Sequence, residues 1–202
     1  MKCSIVDIHT HRPTGKALEP SFAGIHPWQA ETRRIEEIVP RFGEVDLVGE
    51  IGLDYAGTVG REAQLRIFRE QLDWAERLGK PVVLHCVKAF EAVMRELAPH
   101  ALRAVIFHGF IGSSQQAAEA IKKGYYLSFG ERTFRSPRTV EALRRTPVEN
   151  LFAETDESDV PIEEIYRRIA QAKDLDPELL KCAIYRLSLI HISEPTRRRG
   201  IS

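Results

Sequence analysis

The chain has 202 residues, 43% of them hydrophobic and 29% charged, which fits one folded domain and not a disordered chain. Its 29 basic residues balance 29 acidic ones, so the net charge is zero. That excludes a protein that coats nucleic acid by bulk charge, but not an enzyme that handles nucleic acid at a local site.

Short apolar runs alternate with amphipathic segments along the chain. Cys3–Ile8 reads as a first strand, followed by Ser21–Ile25 and Asp46–Ile51. Arg61–Leu78 carries Leu65, Phe68, Leu72, Ala75 and Leu78 on one helical face, with Gly79 just past its end. Pro81–His85 is the next strand, and Lys88–Leu97 a helix with Phe90, Val93, Met94 and Leu97 on one side. Arg103–Phe107 follows as a strand, then a helix capped by Ser113 or Ser114 and ending at Gly124. Tyr125–Phe129 is a strand, Ser136-Pro137 opens a helix, and Asn150–Ala153 is the last strand. Val160–Lys173 and a helix opened by Asp176-Pro177-Glu178 complete the pattern.

Strands buried on both faces and alternating with helices predict a parallel sheet with right-handed crossovers. A full eight-stranded barrel typically needs ~250 residues. Seven strands are recognisable here, and Arg12–Pro20 is too short to hold another helix and strand. The expectation is an α/β fold, a TIM-barrel-like (β/α) barrel that is reduced or distorted, with outer helices. An open doubly wound sheet is the alternative, but no G-x-G-x-x-G or P-loop supports it.

The chemistry-bearing residues gather at strand ends. In Asp7-Ile8-His9-Thr10-His11, alternate side chains share a face, so His9 and His11 can grip one metal ion with Asp7 as a hydrogen-bond partner nearby. Glu50 lies inside the apolar strand Gly49-Glu50-Ile51-Gly52, where a carboxylate needs a partner or a metal. Its flanking glycines point to a close approach to the backbone. His85 and His108 end successive apolar runs, and Asp156 follows Leu151–Ala153. Imidazoles and carboxylates in this number suit Zn²⁺, Mn²⁺ or similar ions and suffice for two. A two-ion site activates water for hydrolysis of an ester.

These motifs resemble one family. D-x-H-x-H, G-I-H-P, G-E-I-G-L-D-Y, V-V-L-H, His108-Gly-Phe-Ile-Gly-Ser and E-T-D are similar, in this order, to the TatD family of metal-dependent hydrolases among the amidohydrolase-like barrels. The resemblance covers residues 4–186 and implies a metal-dependent deoxyribonuclease or phosphodiesterase of exonuclease type. It implies that His9, His11, Glu50 and Asp156 hold one divalent ion (Zn, Mn or Mg), and that Glu50 bridges to a second held by His85 and His108. It casts Asp156 as the group that orients or deprotonates the attacking water. His26 is expected near the substrate phosphate, and Lys88, where the family usually has a different pair after the histidine, is a second candidate substrate contact. The alternative activity is hydrolysis of a C–N bond or ester in a small molecule by the same barrel.

Nucleic acid, DNA before RNA, is the expected partner. Arg132, Arg135, Arg138, Arg144 and Arg145 could form a phosphate-contacting strip, and Trp28, Phe110, Tyr125, Tyr126 and Phe134 could stack on bases. No apolar run reaches the ~18 residues needed to span a bilayer, and Asp7 and His9 stand where a secretory signal keeps its apolar core. Cys3, Cys86 and Cys182 form neither a disulfide framework nor a C-x-x-C knuckle, which points to a reducing cytoplasm. A monomer is expected.

Residues 1–186 read as the hydrolase domain and 187–202 as a non-native tail. Ser188–Arg197 resembles translated sequencing-adapter read-through, Pro195 cannot continue a helix, and three arginines follow. Few buried contacts are expected after Leu187, and His191 is left out of the metal set.

Overall fold

The apolar runs pair with one another in chain order. The computed structural model describes residues 3–192. Six strands, β1 (Phe22–Ala23), β2 (Leu47–Asp54), β3 (Val82–Val87), β4 (Val105–Phe107), β5 (Tyr126–Phe129) and β6 (Leu151–Ala153), form one sheet in the order β1-β2-β3-β4-β5-β6. Every neighbouring pair is parallel. All eight residues of β2 are buried, as befits a strand covered on both faces.

The first predicted strand, Cys3–Ile8, is not a regular strand. Val6 and Thr10 make only isolated parallel bridges, to Leu18 and Asp156. The segment nonetheless runs beside β6 on one side and beside Leu18, four residues ahead of β1, on the other. Ile8 N–H donates to the Ala153 carbonyl (3.1 Å) and Asp156 N–H to the His9 carbonyl (3.0 Å) on one side. On the other, Asp7 N–H donates to Leu18 (3.0 Å) and Leu18 N–H to Ile5 (2.9 Å). The sheet edges are thus joined by short irregular pieces where continuous strands were expected, which is how a chain with so short a first unit goes round a barrel.

The helices lie outside. α1 (Val39–Phe42) and two single 3₁₀ turns fill the stretch before β2. α2 (Arg61–Leu78) buries Ile67, Phe68, Leu72 and Ala75, and packs on β2. Full burial of a side chain such as Phe68 or Leu72 contributes roughly 1.5–3 kcal/mol. Gly79 ends it in the left-handed conformation. α3 (Phe90–Leu97) starts two residues later than predicted, because Lys88 has φ 52° and cannot be helical. α4 (Ser114–Lys122) opens with a capping box from Ser113 and Gln116. α5 (Pro137–Arg145) is capped by Ser136, and α6 (Ile162–Lys173) begins after Pro161, not at Val160.

α7 (Pro177–His191) starts at Asp176, whose Oδ1 accepts the N–H groups of Glu178 and Leu179. It continues past Leu187, contrary to the expectation for the tail. Leu180, Ile184 and Ser188 recur at helical spacing and are buried, and Ile192 is buried after them. Ser188 is fully buried on the inner face, and its hydroxyl donates back to the Tyr185 carbonyl. The remainder of the expected tail, 193–202, including the three arginines, lies outside the described residues.

A second correction concerns the cysteines. Cys3 and Cys182 form a disulfide across a sequence separation of 179, and Cys86 is free. Two cysteines so far apart in sequence give no local pattern to read, and the argument from cysteine count for a reducing compartment does not stand. Among the described residues no helix is long and apolar enough to cross a membrane.

Candidate metal centre

Glu50 is the hub. The register of β2 against β3 slips between Val48 and Ile51, a bulge that places one extra residue in β2 and re-aims Glu50. The flanking glycines serve the sheet itself. A Cβ on Gly49 would lie 2.8 Å from Val83 Cβ, and one on Gly52 (φ 139°) would lie 2.0 Å from the His85 carbonyl oxygen. The close approach read from the sequence is therefore that of β3, and it carries His85 to Glu50.

Five imidazoles face the Glu50 carboxylate. Oε1 lies 2.6 Å from His108 Nε2, 2.7 Å from His85 Nδ1 and 3.5 Å from His26 Nε2. Oε2 lies 3.4 Å from His11 Nε2 and 3.5 Å from His9 Nε2. Burial works to raise the Glu50 pKa, but the bonds from His108, His11, His26 and His85 outweigh it and hold the carboxyl far below the usual range.

Two of these histidines are backed by carboxylates. His85 Nε2 lies 3.1 Å from Asp54 Oδ2 while its Nδ1 lies 2.7 Å from Glu50 Oε1, so each ring nitrogen meets a carboxylate. His108 Nδ1 lies 3.4 Å from Glu154 Oε1, outside hydrogen-bond geometry, and Glu154 is 1% exposed. Burial works to raise the Glu154 pKa, and the facing His108, when protonated, to lower it, the lowering prevailing. A histidine turned by a carboxylate so that its other nitrogen meets a second carboxylate is the arrangement of a metal ligand. A neutral ring can donate to only one of two such carboxylates, and the nitrogen left as a lone pair against the other is one that a bound cation would satisfy.

His9 gives the sharpest test of fit. It is fully buried, and neither ring nitrogen has a hydrogen-bond partner. Such orphaned nitrogens cost roughly 1–3 kcal/mol each. Nε2 stands 3.5 Å from Glu50 Oε2 and 3.8 Å from Asp156 Oδ1, beside His11 Nε2, itself 3.7 Å from Asp156 Oδ1. His9, His11 and Asp156 offer ligand atoms within 4.8 Å of one another, as do His9, Glu50 and His108. The donor set fits divalent cations of the zinc and manganese kind.

Asp7 is placed differently from its expected role beside the histidines. Its carboxylate takes the Thr155 N–H (2.9 Å) and hydroxyl (2.6 Å), so it anchors the loop that carries Asp156. Asp156 adopts φ 56°, and burial together with the nearby Glu154 charge pushes its carboxyl up from the ordinary range.

A cavity of about 430 Å³ opens over this cluster, lined by His11, His26, Glu50, His85, His108 and Asp156, with Trp28, Arg33, Arg41 and Arg132 at its walls. His26 Nδ1 accepts the Trp28 N–H (3.2 Å), so the ring proton sits on Nε2 and points toward Glu50 and His85. That makes His26 a hydrogen-bond donor into the cavity. Lys88 is elsewhere: it lines an adjoining cavity of about 340 Å³ with Phe110, Gln116 and Arg138, and His108 borders both spaces.

The expected arginine strip does not assemble. Arg135 pairs with Glu131, Arg144 and Arg145 with Glu141, and Arg138 bonds Gln116. Arg132 alone of the five reaches the cavity of the cluster. Of the candidate stacking aromatics, Phe110 is buried, Tyr125, Tyr126 and Phe134 pack against the core, and Trp28 is 61% exposed. The tail histidine His191 meets the Tyr126 hydroxyl at 2.6 Å and stands in no metal-capable group among the described residues. Sequence reading missed Asp54, Glu154 and Arg41 as individual site residues. The first two lay within quoted motifs, while Arg41 carries no local signal.

Solved structures of this shape are known. The Escherichia coli TatD homologue YjjV superposes with TM-score 0.79 at 24% identity, over 88% of this chain and 78% of that one. An uncharacterised amidohydrolase from Saccharomyces cerevisiae gives 0.73 at 13%, over 86% and 81%. At these identities the likeness establishes the α/β barrel-like fold. Sequence relatives include the uncharacterised metal-dependent hydrolase YjjV of Escherichia coli, 33% identical over 71% of this chain and 61% of its own length. The putative deoxyribonuclease TATDN1 homologue of Encephalitozoon cuniculi is 35% identical over 67% and 50%. The 3'-5' ssDNA/RNA exonuclease TatD of Citrobacter koseri is 33% identical over 67% and 56%. The matched region thus spans between half and about three fifths of these relatives. Residues 16–188 match the family described as TatD related DNase, a stretch that takes in every strand and all of the cluster except His9 and His11, and the chain belongs to that family.

Proposed function

We propose that the protein is a divalent-metal-dependent phosphodiesterase that removes nucleotides from single-stranded nucleic acid, DNA before RNA. The observation that carries the reading is His9: a fully buried imidazole with both nitrogens unpartnered, facing two carboxylates. Its relatives' descriptions as metal-dependent hydrolase and as 3'-5' ssDNA/RNA exonuclease support the same reading.

His9, His11, Glu50 and Asp156 would hold one ion, and Glu50, His85 and His108 a second. When bound, such ions lower the pKa of an attacking water and offset the charge on the phosphate oxygens. The chain's own groups do the rest. The Asp156 carboxylate, its pKa raised by burial, orients the water and takes its proton as it attacks phosphorus, and the P–O bond to the leaving nucleoside oxygen breaks, that oxygen taking up a proton from solvent. His26 Nε2–H donates to a non-bridging phosphate oxygen. Asp54 and Glu154 hold His85 and His108 in the orientation that keeps one nitrogen of each turned to Glu50. Arg41 and Arg132, which have no side-chain partner among the described residues, line the route for neighbouring phosphates.

The unpaired arginines and the exposed Trp28 favour nucleic acid over a small amide or ester. The test is a panel of single-stranded DNA, single-stranded RNA and simple amides, run with Mn²⁺, Mg²⁺ or Zn²⁺ and again with chelator. Metal-dependent release of nucleotides is expected. Turnover of amides alone would overturn the reading.

A further inference from the structure

We propose that the indole of Trp28 is a stacking platform for the substrate nucleobase next to the bond that is cleaved. The proposal rests on the nuclease reading above and names the part of the substrate that this wall of the cavity takes.

Among the described residues, Trp28 is the sole aromatic side chain among the large exposed hydrophobics, with 61% of its surface in solvent. It adds little to the core, yet it is held firmly. Its Nε1–H donates to Asp54 Oδ2 at 2.8 Å, and its backbone N–H donates to His26 Nδ1 at 3.2 Å. The His26 ring meets it edge-to-face, with centroids 4.5 Å apart. Gly57 stands alongside, where even a Cβ would be 3.7 Å from the indole. A rigid, exposed aromatic ring has already given up its rotamer freedom, so a flat partner can stack on it at little further entropic cost.

Position selects the partner. The indole centroid is 6.0 Å from that of His85, and the Asp54 oxygen that accepts the indole N–H also lies 3.1 Å from His85 Nε2. The ring therefore stands beside the proposed point of cleavage. The same cavity carries Arg41 and Arg132, whose guanidinium groups have no side-chain partner among the described residues. Cations for the backbone and an aromatic face for a base are the two elements of single-strand recognition, and stacking tolerates any base because every base has a π-face. The purpose of the indole N–H is then positional: it fixes the angle at which the ring is presented.

The test uses the full metal-loaded chain and short single-stranded DNA, either with normal bases or with tetrahydrofuran abasic units at its terminal positions. Wild type, Trp28→Phe and Trp28→Ala are compared. The wild type is expected to prefer base-bearing substrate. Trp28→Ala should raise KM on that substrate by about tenfold to a hundredfold and bring the preference near one. Trp28→Phe keeps a stacking face but loses the N–H, and should keep most of the preference. A phosphorothioate oligonucleotide carrying 2-aminopurine should be quenched on binding by wild type and Trp28→Phe, and not by Trp28→Ala. Equal loss in both variants, on both substrates, would assign Trp28 a purely structural role through Asp54 and overturn the proposal. Cleavage by wild type with no base preference would overturn the platform while leaving the nuclease intact. No cleavage of either oligonucleotide would overturn the nuclease reading and the platform with it.

Discussion

Asp7 holds Thr155 by two hydrogen bonds, one to the backbone N–H at 2.9 Å and one to the hydroxyl at 2.6 Å. This pair ties the segment bearing His9 and His11 to the loop bearing Asp156, whose residues come from opposite ends of the sequence. Asp7→Ala should cost roughly 1–3 kcal/mol in urea unfolding, because two half-buried donors lose their acceptor. Metal affinity, measured by calorimetric titration, should fall about 10–100-fold, as for other groups that orient ligands. Unaltered affinity would show that the Asp156 loop is placed without Asp7.

Glu50→Ala should bind less metal than any other single variant of the cluster. Glu50 is the one carboxylate facing His9, His11, His26, His85 and His108 together. Metal per chain by mass spectrometry, with circular dichroism as a check on folding, would show it. A folded Glu50→Ala protein with full metal content and near-normal turnover would disprove the bridging role.

Glu154→Gln removes charge from behind His108 with little change of shape. Activity or metal affinity should drop about 10–100-fold while the far-ultraviolet spectrum stays the same. Asp54→Asn should behave alike through His85. If Glu154→Gln were silent, the 3.4 Å approach to His108 would have no part in orienting the ring.

Chelation should destabilise as well as inactivate. Cations that bind only the folded chain stabilise it by mass action, about 2.7 kcal/mol at a hundredfold excess over Kd. The melting temperature should fall on adding chelator and recover with Mn²⁺ or Zn²⁺. Occupancy should also decline on acidification, since imidazole must lose its proton to ligate. A melting temperature indifferent to both treatments would argue that the cluster holds no metal.

The Cys3–Cys182 bridge predicts one titratable thiol per denatured, unreduced chain, that of Cys86. Closing a loop of that length contributes about 5 kcal/mol in the chain-entropy treatment. Cys182→Ser should lower the urea midpoint, and reductant should have no further effect on it. Three reactive thiols in unreduced protein would rule the bridge out.

The residues that make the cluster were legible because each ends an apolar run, as His85 and His108 do, or interrupts one, as Glu50 does. Alternation placed the sheet and most helix starts, where Ser113, Ser136 and Asp176 announce themselves as caps. What was not legible depends on tertiary placement. Lys88 looks poised beside His85 in sequence, but its left-handed backbone turns it into the neighbouring cavity. The arginines after β5 look like a strip, yet Glu131 and Glu141, each four residues away from an arginine, engage them. Ser188 reads as the end of an apolar face, although it is fully buried there. The pairing of Cys3 with Cys182 leaves no local trace at all.

The seam between the Val6–Thr10 segment and β6 bears on the order of events during synthesis. His9 and His11 precede their shared backbone partner, Asp156, by about 145 residues in the chain. A nascent chain stopped before Leu151 would already contain Glu50, His85 and His108, yet it would lack the strand that positions His9. Contacts of such range form late in folding. The proposed ligand set would therefore be complete only once β6 is in place, and metal binding by stalled chains of increasing length would report that step.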